Sequence, residues 1–247
     1  MTDLLLSMIG LALLIILIFL LRKTIFPLIR LWYIILVHGR LSFEFIDFFK
    51  EKNLRNPVNN CIRDEITLHF MVFYHKSKTA VSLTTQQKIE FTEVPFMIRY
   101  RELRRMRGDP YCINITRFDQ HRVIVVGYND QIQKIRLKSL FYFLNDRFVL
   151  GEYLLQDTSR ISTDFIAESI AAKYLEGKKP EGEMFYITDP RGNCINYEYN
   201  GFSIAVRYLY KGDPEVNEFL DSFFTKNKET EGGFFRSLRE EELYNRF

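Results

Sequence analysis

From Leu4 to Leu21 the chain carries no charged side chain, and only Ser7 and Gly10 interrupt its apolar run. A helix of that length rises to about 27 Å, close to the hydrocarbon thickness of a bilayer. A cleavable export signal would place positive charge ahead of a shorter apolar core and small residues behind it. Here Asp3 is the only charged side chain ahead of the run, and Arg22-Lys23 follows it. The pattern reads as a permanent anchor over residues 1–24. Arg22, Lys23, Arg30 and Arg40 all follow the run and no Lys or Arg precedes it, which puts the N-terminus outside and the rest of the chain in the cytoplasm. The expectation is a single-pass protein of the inner (plasma) membrane, with an organelle inner membrane as the alternative and the lipid bilayer as a partner. Cys61, Cys112 and Cys194 are odd in number and widely spaced. That suits a reducing compartment and gives neither a disulfide framework nor a metal-ligand pattern.

Residues 25–56 read as juxtamembrane or interfacial helices. Pro27 can kink or restart a helix, while Arg30, Trp32, Tyr33 and His38 suit the headgroup level. In SFEFIDFFKEKNLRN, Phe45, Ile46, Phe48 and Phe49 share a broad face and Ser42 can cap. Beyond this, ITLHFMVFYH reads as a strand, and IEFTEVPFMIRYRE as one or two strands broken at Pro95. YCINITRF, HRVIVVGY and IQKIRLKSLFYF form a β series, with Asn129-Asp130 supplying the turn between the last two. The period changes in STDFIAESIAAKYLEGKK, a helix capped by Ser162, closed by Gly177, and carrying Phe165, Ile166, Ile170, Ala171 and Tyr174 on one side. MFYITDPRGNCINYEY and FSIAVRYLY, separated by Asn200-Gly201, make a three-stranded meander. A helix capped by Asp213 with Pro214 at its first position follows. The fold class expected is α+β: an N-terminal transmembrane helix, then a mostly antiparallel β cytoplasmic domain with flanking helices. It divides into a barrel-like β-rich lobe at 57–160, a helix-plus-meander lobe at 161–225 and a charged tail at 226–247.

The segment FMIRYRELRRMRGDPYCINITRFDQHRVIVVGYNDQIQKIRLKSL resembles a WYL domain, a small Sm-like β-barrel of prokaryotic transcription regulators and defence systems that binds regulatory, often nucleotide-like, ligands. The matching pieces are Tyr100-Arg101, Phe118, Arg122, Gly127-Tyr128-Asn129 and the strand Ile135-Arg136-Leu137-Lys138-Ser139-Leu140. FSIAVRYLYKGDPEVNEFL is similar to the extension that follows such barrels. Val123-Ile124-Val125 replaces the naming triplet, the proline before the middle strand is absent, and no helix-turn-helix precedes the barrel. The resemblance implies that Arg101 and Arg136 lie on facing strands and frame a phosphate.

RYRELRRMR holds five arginines, Arg99, Arg101, Arg104, Arg105 and Arg107. Guanidinium groups suit phosphate because each presents a planar donor fork. A solvated loop near anionic headgroups is the bland alternative. The candidate ligand site is therefore Arg99, Tyr100, Arg101, Arg104, Arg105 and Arg107, with Arg122, Arg136 and Lys138. The formal charge of +3 is too small to argue for nucleic acid by itself. Arg63 and His69 have the Arg-x5-His spacing of HEPN-type ribonucleases, but His69 falls in an expected strand. No Walker loop, GxGxxG, GxSxG or metal-ligand spacing is present. No cofactor is implied. The function expected is a membrane-tethered cytoplasmic binding module. In one form it is an antiviral-defence type of sensor or effector that takes a nucleotide or oligonucleotide and acts by homo-oligomerisation. In another it is an accessory subunit of a membrane complex, and in a third a membrane-bound nuclease.

Overall fold

The structure, a computed structural model, describes residues 8, 10–11, 17–19, 21–54, 58, 61, 81–118, 120–132, 135–155, 163–178, 180, 182, 184–199 and 204–228. The chain divides into two compact parts, Met1–Pro57 and Val58–Phe247.

In the first part a π-helical turn, Leu21–Ile25, runs into α1 (Phe26–Val37), and α2 (Phe43–Glu51) follows. Ser42 caps α2 as its residue type suggests, its Oγ accepting from the backbone N of Phe45 at 3.2 Å. Arg30 ties α1 to α2 through Glu51 at 3.0 Å and lies 5.6 Å from the centre of the Phe48 ring. The expected transmembrane helix is corrected here. Among the described residues, no helix is long and apolar enough to cross a membrane. The π-helical turn and α1 span five and twelve residues and contain Arg22, Lys23 and Arg30. Most of residues 4–21 lies outside the described residues. The single-pass reading and the inner-membrane, cytoplasmic-body placement rested on such a span and are corrected with it.

The second part is built on an eight-stranded mixed sheet in the order β1-β6-β7-β8-β5-β4-β3-β2. Its strands are β1 (Val81–Thr84), β2 (Cys112–Phe118), β3 (His121–Ile132), β4 (Ile135–Leu144), β5 (Arg147–Leu155), β6 (Met184–Thr188), β7 (Cys194–Tyr199) and β8 (Ile204–Leu209). The helices are α3 (Tyr100–Arg107), α4 (Thr163–Tyr174) and α5 (Pro214–Lys228). Expected as a mostly antiparallel domain, the sheet is mixed because β1 pairs parallel with β6. A single sheet runs through both stretches expected as lobes, since β5 pairs with β8 from Leu150↔Leu209 to Leu155↔Ile204.

Local chemistry explains where the elements depart from the sequence reading. Asn129 and Asp130 do not turn; they pair with Lys138 and Leu137 inside the β3–β4 ladder. Asp130 accepts from Arg107 Nη2 and from Ser139 Oγ, so its carboxylate is satisfied within a strand. The turn that sequence reading lacked is Asn145-Asp146, with φ of 47° and 69°. These left-handed values fit a tight two-residue hairpin and residues that tolerate them. Asn145 Oδ1 accepts from Arg122 N at 3.0 Å and Asp146 Oδ1 from Tyr100 N at 3.3 Å, which fixes the hairpin β4–β5. The stretch expected as strands around Pro95 forms a tight turn at Thr92-Glu93 and then α3. Glu102 Oε2 closes the start of α3 by accepting from Arg99 N at 3.0 Å. Asp213 caps α5 as expected, its Oδ1 accepting from Glu215 N at 2.8 Å. At the β6–β7 turn the buried Asp189 accepts from Arg191 N, Asn193 N and Asn193 Nδ2, and from Ile89 N across the sheet end. ITLHFMVFYH and the Asn200-Gly201 turn lie outside the described residues.

Strand alternation gives the sheet two faces. One carries Phe141, Phe148, Tyr153 and Tyr208, on which Phe91 sits with ring centres 4.9, 6.1, 4.5 and 5.3 Å away. Gly151 lies beneath that ring, because a Cβ there would stand 2.2 Å from it. The other face carries Val123, Val125, Leu140, Tyr142, Leu144 and Leu150, packed with Val216 and Phe219 of α5. It also buries charge. Arg207 donates to Glu152 at 2.8 Å, Glu198 at 2.6 Å and Asn196 at 3.1 Å, and Tyr142 donates to Glu152 at 3.0 Å. Burial alone would lower the Arg207 pKa, but the two carboxylates outweigh it and raise the pKa above the usual guanidinium value. Cys61 and Cys112 form a disulfide across 51 residues. This corrects the expectation of unpaired thiols: the sheet brings together two positions whose spacing in the chain carries no such signal. Cys194 is free and buried, and burial pushes its thiol up to about 12.

Candidate functional site

The arginine segment forms a helix, not a strand, and this redistributes the expected site. Tyr100 is buried and packs edge-on against Phe143 at 5.8 Å. Burial raises its hydroxyl far above the ordinary tyrosine range. Arg104 is held by Asp109 at 2.6 Å. Arg107 is held by Asp130 and lies 5.2 and 5.5 Å from the ring centres of Tyr128 and Phe141. Arg107 thereby fastens α3 to the sheet, while Arg104 folds back onto the turn that follows the helix. Arg101 and Arg105 are exposed, four residues apart on one helix face, and neither has a carboxylate partner among the described residues. Arg99 bridges Arg147 through the backbone. Arg122 sits opposite Arg117 on β2. Arg136 and Lys138 belong to β4, opposite Gln131 and Asn129. Alternation from Phe141, which faces α3, places both on the other side of the sheet. The expected phosphate frame of Arg101 and Arg136 on facing strands is therefore corrected: one is on a helix, the other on the far face of β4. Arg63 and His69 lie outside the described residues.

What the fold does assemble is a pocket of about 250 Å³ between α4 and the sheet face of β4, β5 and β8. Leu137, Leu155 and Val206 supply its apolar floor, and Phe165, Ile166 and Ile170 of α4 its roof. The roof follows from helical spacing, since Ile166, Ile170 and Tyr174 recur every four residues and share a face. Three tyrosines, Tyr153, Tyr174 and Tyr208, stand in the wall. Burial raises the Tyr153 and Tyr208 hydroxyls well above their usual range, with Tyr174 a further raising neighbour of each. Tyr153 and Tyr208 are therefore protonated at neutral pH. The Tyr174 hydroxyl is buried and has no hydrogen-bond partner among the described residues. A buried donor left so costs about 1–3 kcal/mol. Ser169 Oγ is committed to Phe165 O at 2.7 Å. Lys173 lines the same pocket, its Nζ 5.1 Å from the centre of the Tyr174 ring. No acidic side chain is among the described lining residues. Among the described residues no group of three or more His, Cys, Asp or Glu could hold a metal ion.

Sequence reasoning placed Phe165, Ile166, Ile170 and Tyr174 on one side of α4 without saying what that side meets, and did not pick out β5 with its Tyr153. One signal was available: Tyr153 and Tyr208 place hydroxyls on largely buried strands, where a closed core wants none. Compared with known proteins, the chain matches no family model, no curated protein and no solved structure.

Proposed function

We propose that this chain is a small-molecule binding module whose site is the pocket under α4. The observation that carries the reading is the cavity itself, about 250 Å³ between α4 and the sheet, walled mainly by aliphatic and aromatic side chains with Lys173 and Ser169 among its lining. A concave, mostly apolar and aromatic cavity with a few polar groups is the usual form of a small-molecule site. A cavity of 150 Å³ holds benzene; by proportion the 250 Å³ here suits a ligand of roughly ten non-hydrogen atoms. The likeness of residues 96–140 to WYL ligand-binding domains agrees with a binding role, although the pocket lies mainly on other elements.

The test is calorimetric titration of the full chain with octanol, a neutral probe of matching size. Saturable binding that Ile166→Trp abolishes by filling the roof supports the site. Absence of binding to the native chain overturns it.

A second reading keeps the arginine segment as an anion site for a nucleotide-like ligand. It is favoured by Arg101 and Arg105, exposed one turn apart without carboxylate partners among the described residues. Arg101→Ala with Arg105→Ala would then abolish nucleotide binding and leave octanol binding intact.

A further inference from the structure

α1 is apolar on nearly every side, and only one side of it is covered. At about 100° per residue, Pro27, Leu31, Ile34 and Ile35 share a face. Ile34 is buried and the other three are half-buried. Phe26, Leu28, Ile29, Trp32, Tyr33 and Leu36 occupy the rest of the surface, each 56% to 77% exposed. Three aromatic side chains of about 150–250 Å² each, more than half exposed and with aliphatic neighbours between them, make a patch beyond the few hundred Å² a folded chain ordinarily leaves open. α2 behaves in the ordinary way and buries Phe43, Phe45, Ile46 and Phe48. A helix apolar all round belongs where both its sides are buried. The outer face of α1 therefore calls for a second apolar phase.

We infer that the outer face of α1 docks on an anionic lipid surface, the helix lying along one leaflet with its apolar side chains among the upper acyl carbons. Charge selects this occupant. No acidic side chain lies in the π-helical turn or in α1. Arg22 and Lys23 stand exposed in the turn ahead of α1 and Arg40 stands exposed just after it, none with a carboxylate partner among the described residues. Arg30 is already answered by Glu51. Cations at both ends of an apolar face match headgroup phosphates above an acyl layer. Trp32 and Tyr33 suit the same boundary, since each has an apolar ring with one polar tip. A second copy of α1 would cover the apolar face but offers these cations no anion. Length sets the orientation. Twelve residues rise to about 18 Å against about 30 Å of hydrocarbon, and Arg30 interrupts them. α1 therefore lies on a leaflet and does not cross it, and the contact assigns the chain to no compartment.

Trp32 is the only tryptophan in the chain, so its fluorescence reports on α1 whatever else touches the lipid. The experiment titrates the full chain with vesicles of phosphatidylcholine alone and of phosphatidylcholine mixed with phosphatidylglycerol. Emission should move to shorter wavelength on the mixed vesicles, and lipids brominated near the headgroup should quench it more than lipids brominated at the chain ends. Leu36→Ser should leave the thermal midpoint unchanged and raise the lipid concentration for half the shift about tenfold. A cation near an anionic surface contributes about fivefold in binding, so Arg22→Gln with Lys23→Gln should cost about thirtyfold on the mixed vesicles and little on the neutral ones. Emission that neither vesicle moves overturns the inference. Emission that shifts with protein concentration in the absence of lipid gives the face to a second copy and overturns it as well. Stronger quenching from the chain ends overturns the surface orientation, and a shift indifferent to the charge substitutions overturns the anionic headgroup.

Discussion

Replacing Gly151 by alanine adds one carbon at the most crowded point of the sheet. The new Cβ would stand 2.2 Å from Cγ and Cδ1 of Phe91 and 2.7 Å from Cδ2. Carbon atoms rest about 3.5–4.0 Å apart, so the ring or the strand must yield by more than about 1 Å. The ring has nowhere to go. Phe91 is fully buried and hemmed by Phe141, Tyr153 and Tyr208 with centres 4.9, 4.5 and 5.3 Å away. Alanine gains about 0.5–1 kcal/mol over glycine in a strand through chain entropy. Overpacking of this kind costs about 1–3 kcal/mol, sometimes more, and the clash here is at the severe end. The net expectation is a loss of about 2 kcal/mol, or about 4–8 °C in midpoint for a domain of this size. Guanidinium unfolding followed by circular dichroism measures it. Phe91→Leu in the same chain should relieve the clash, so the double variant should be more stable than the sum of the singles predicts by about 1 kcal/mol or more. Since Phe91 touches Tyr153 and Tyr208, both in the pocket wall, Gly151→Ala should also weaken octanol binding. A cost below about 0.5 kcal/mol together with additivity would refute the packing argument.

Reducing the Cys61–Cys112 bond, which closes 51 residues, should cost about 4 kcal/mol by loop-closure entropy, read as a lower denaturation midpoint in dithiothreitol that Cys61→Ser with Cys112→Ser reproduces. Arg207→Met leaves Glu152 and Glu198 without their cation at a site where Arg207 and Glu152 are 8% and 3% exposed, and should cost about 3–5 kcal/mol in urea unfolding. Burial raises the pKa of Tyr100, Tyr153 and Tyr208, and pushes Tyr128 up to about 12 from 10.0. A raised folded pKa means stability is fully present below the unfolded tyrosine pKa and lost as pH climbs through the folded one. Stability should therefore hold up to about pH 10 and fall beyond it, with the share of tyrosinate absorbance that belongs to these four residues rising only as the chain unfolds. Cys194, buried with its thiol up at about 12, should react with iodoacetamide only when the chain unfolds.

Local chemistry was legible in the sequence wherever a side chain acts on its own neighbourhood. Ser42 and Asp213 cap the helices they announce, and the alternation of YCINITRF gives β2. Three features were not legible because their causes are distant. Arg107 and Ser139 hold Asp130 in a strand where Asn129-Asp130 reads as a turn. Arg99 to Arg107 reads as strand and loop, but Asp109 and Asp130 neutralise two of its arginines and let the segment coil against Phe143. The parallel pairing of β1 with β6 joins strands about a hundred residues apart, and no turn residue encodes it. The pocket lies beyond both kinds of signal, since it exists only where β4, β5, β8 and α4 meet.

The two faces of β5 and β8 connect stability to the proposed site. Along β8, Val206 and Tyr208 line the pocket while Arg207, between them, carries the buried ion network on the other face. Along β5, Tyr153 and Leu155 line the pocket while Glu152 answers Arg207. Glu152 and Arg207 are cross-strand partners in the ladder, so their ion pair fixes the register of the strands that floor the pocket. A slip of one residue would send Val206 and Tyr208 to the charged face and bring Arg207 under α4. An apolar pair could hold the strands equally well in energy but would not penalise that slip, because either face would accept it. Buried charge is retained for such specificity in some proteins. Here it keeps Arg207 off the pocket floor, so that Val206 and Tyr208 line it instead.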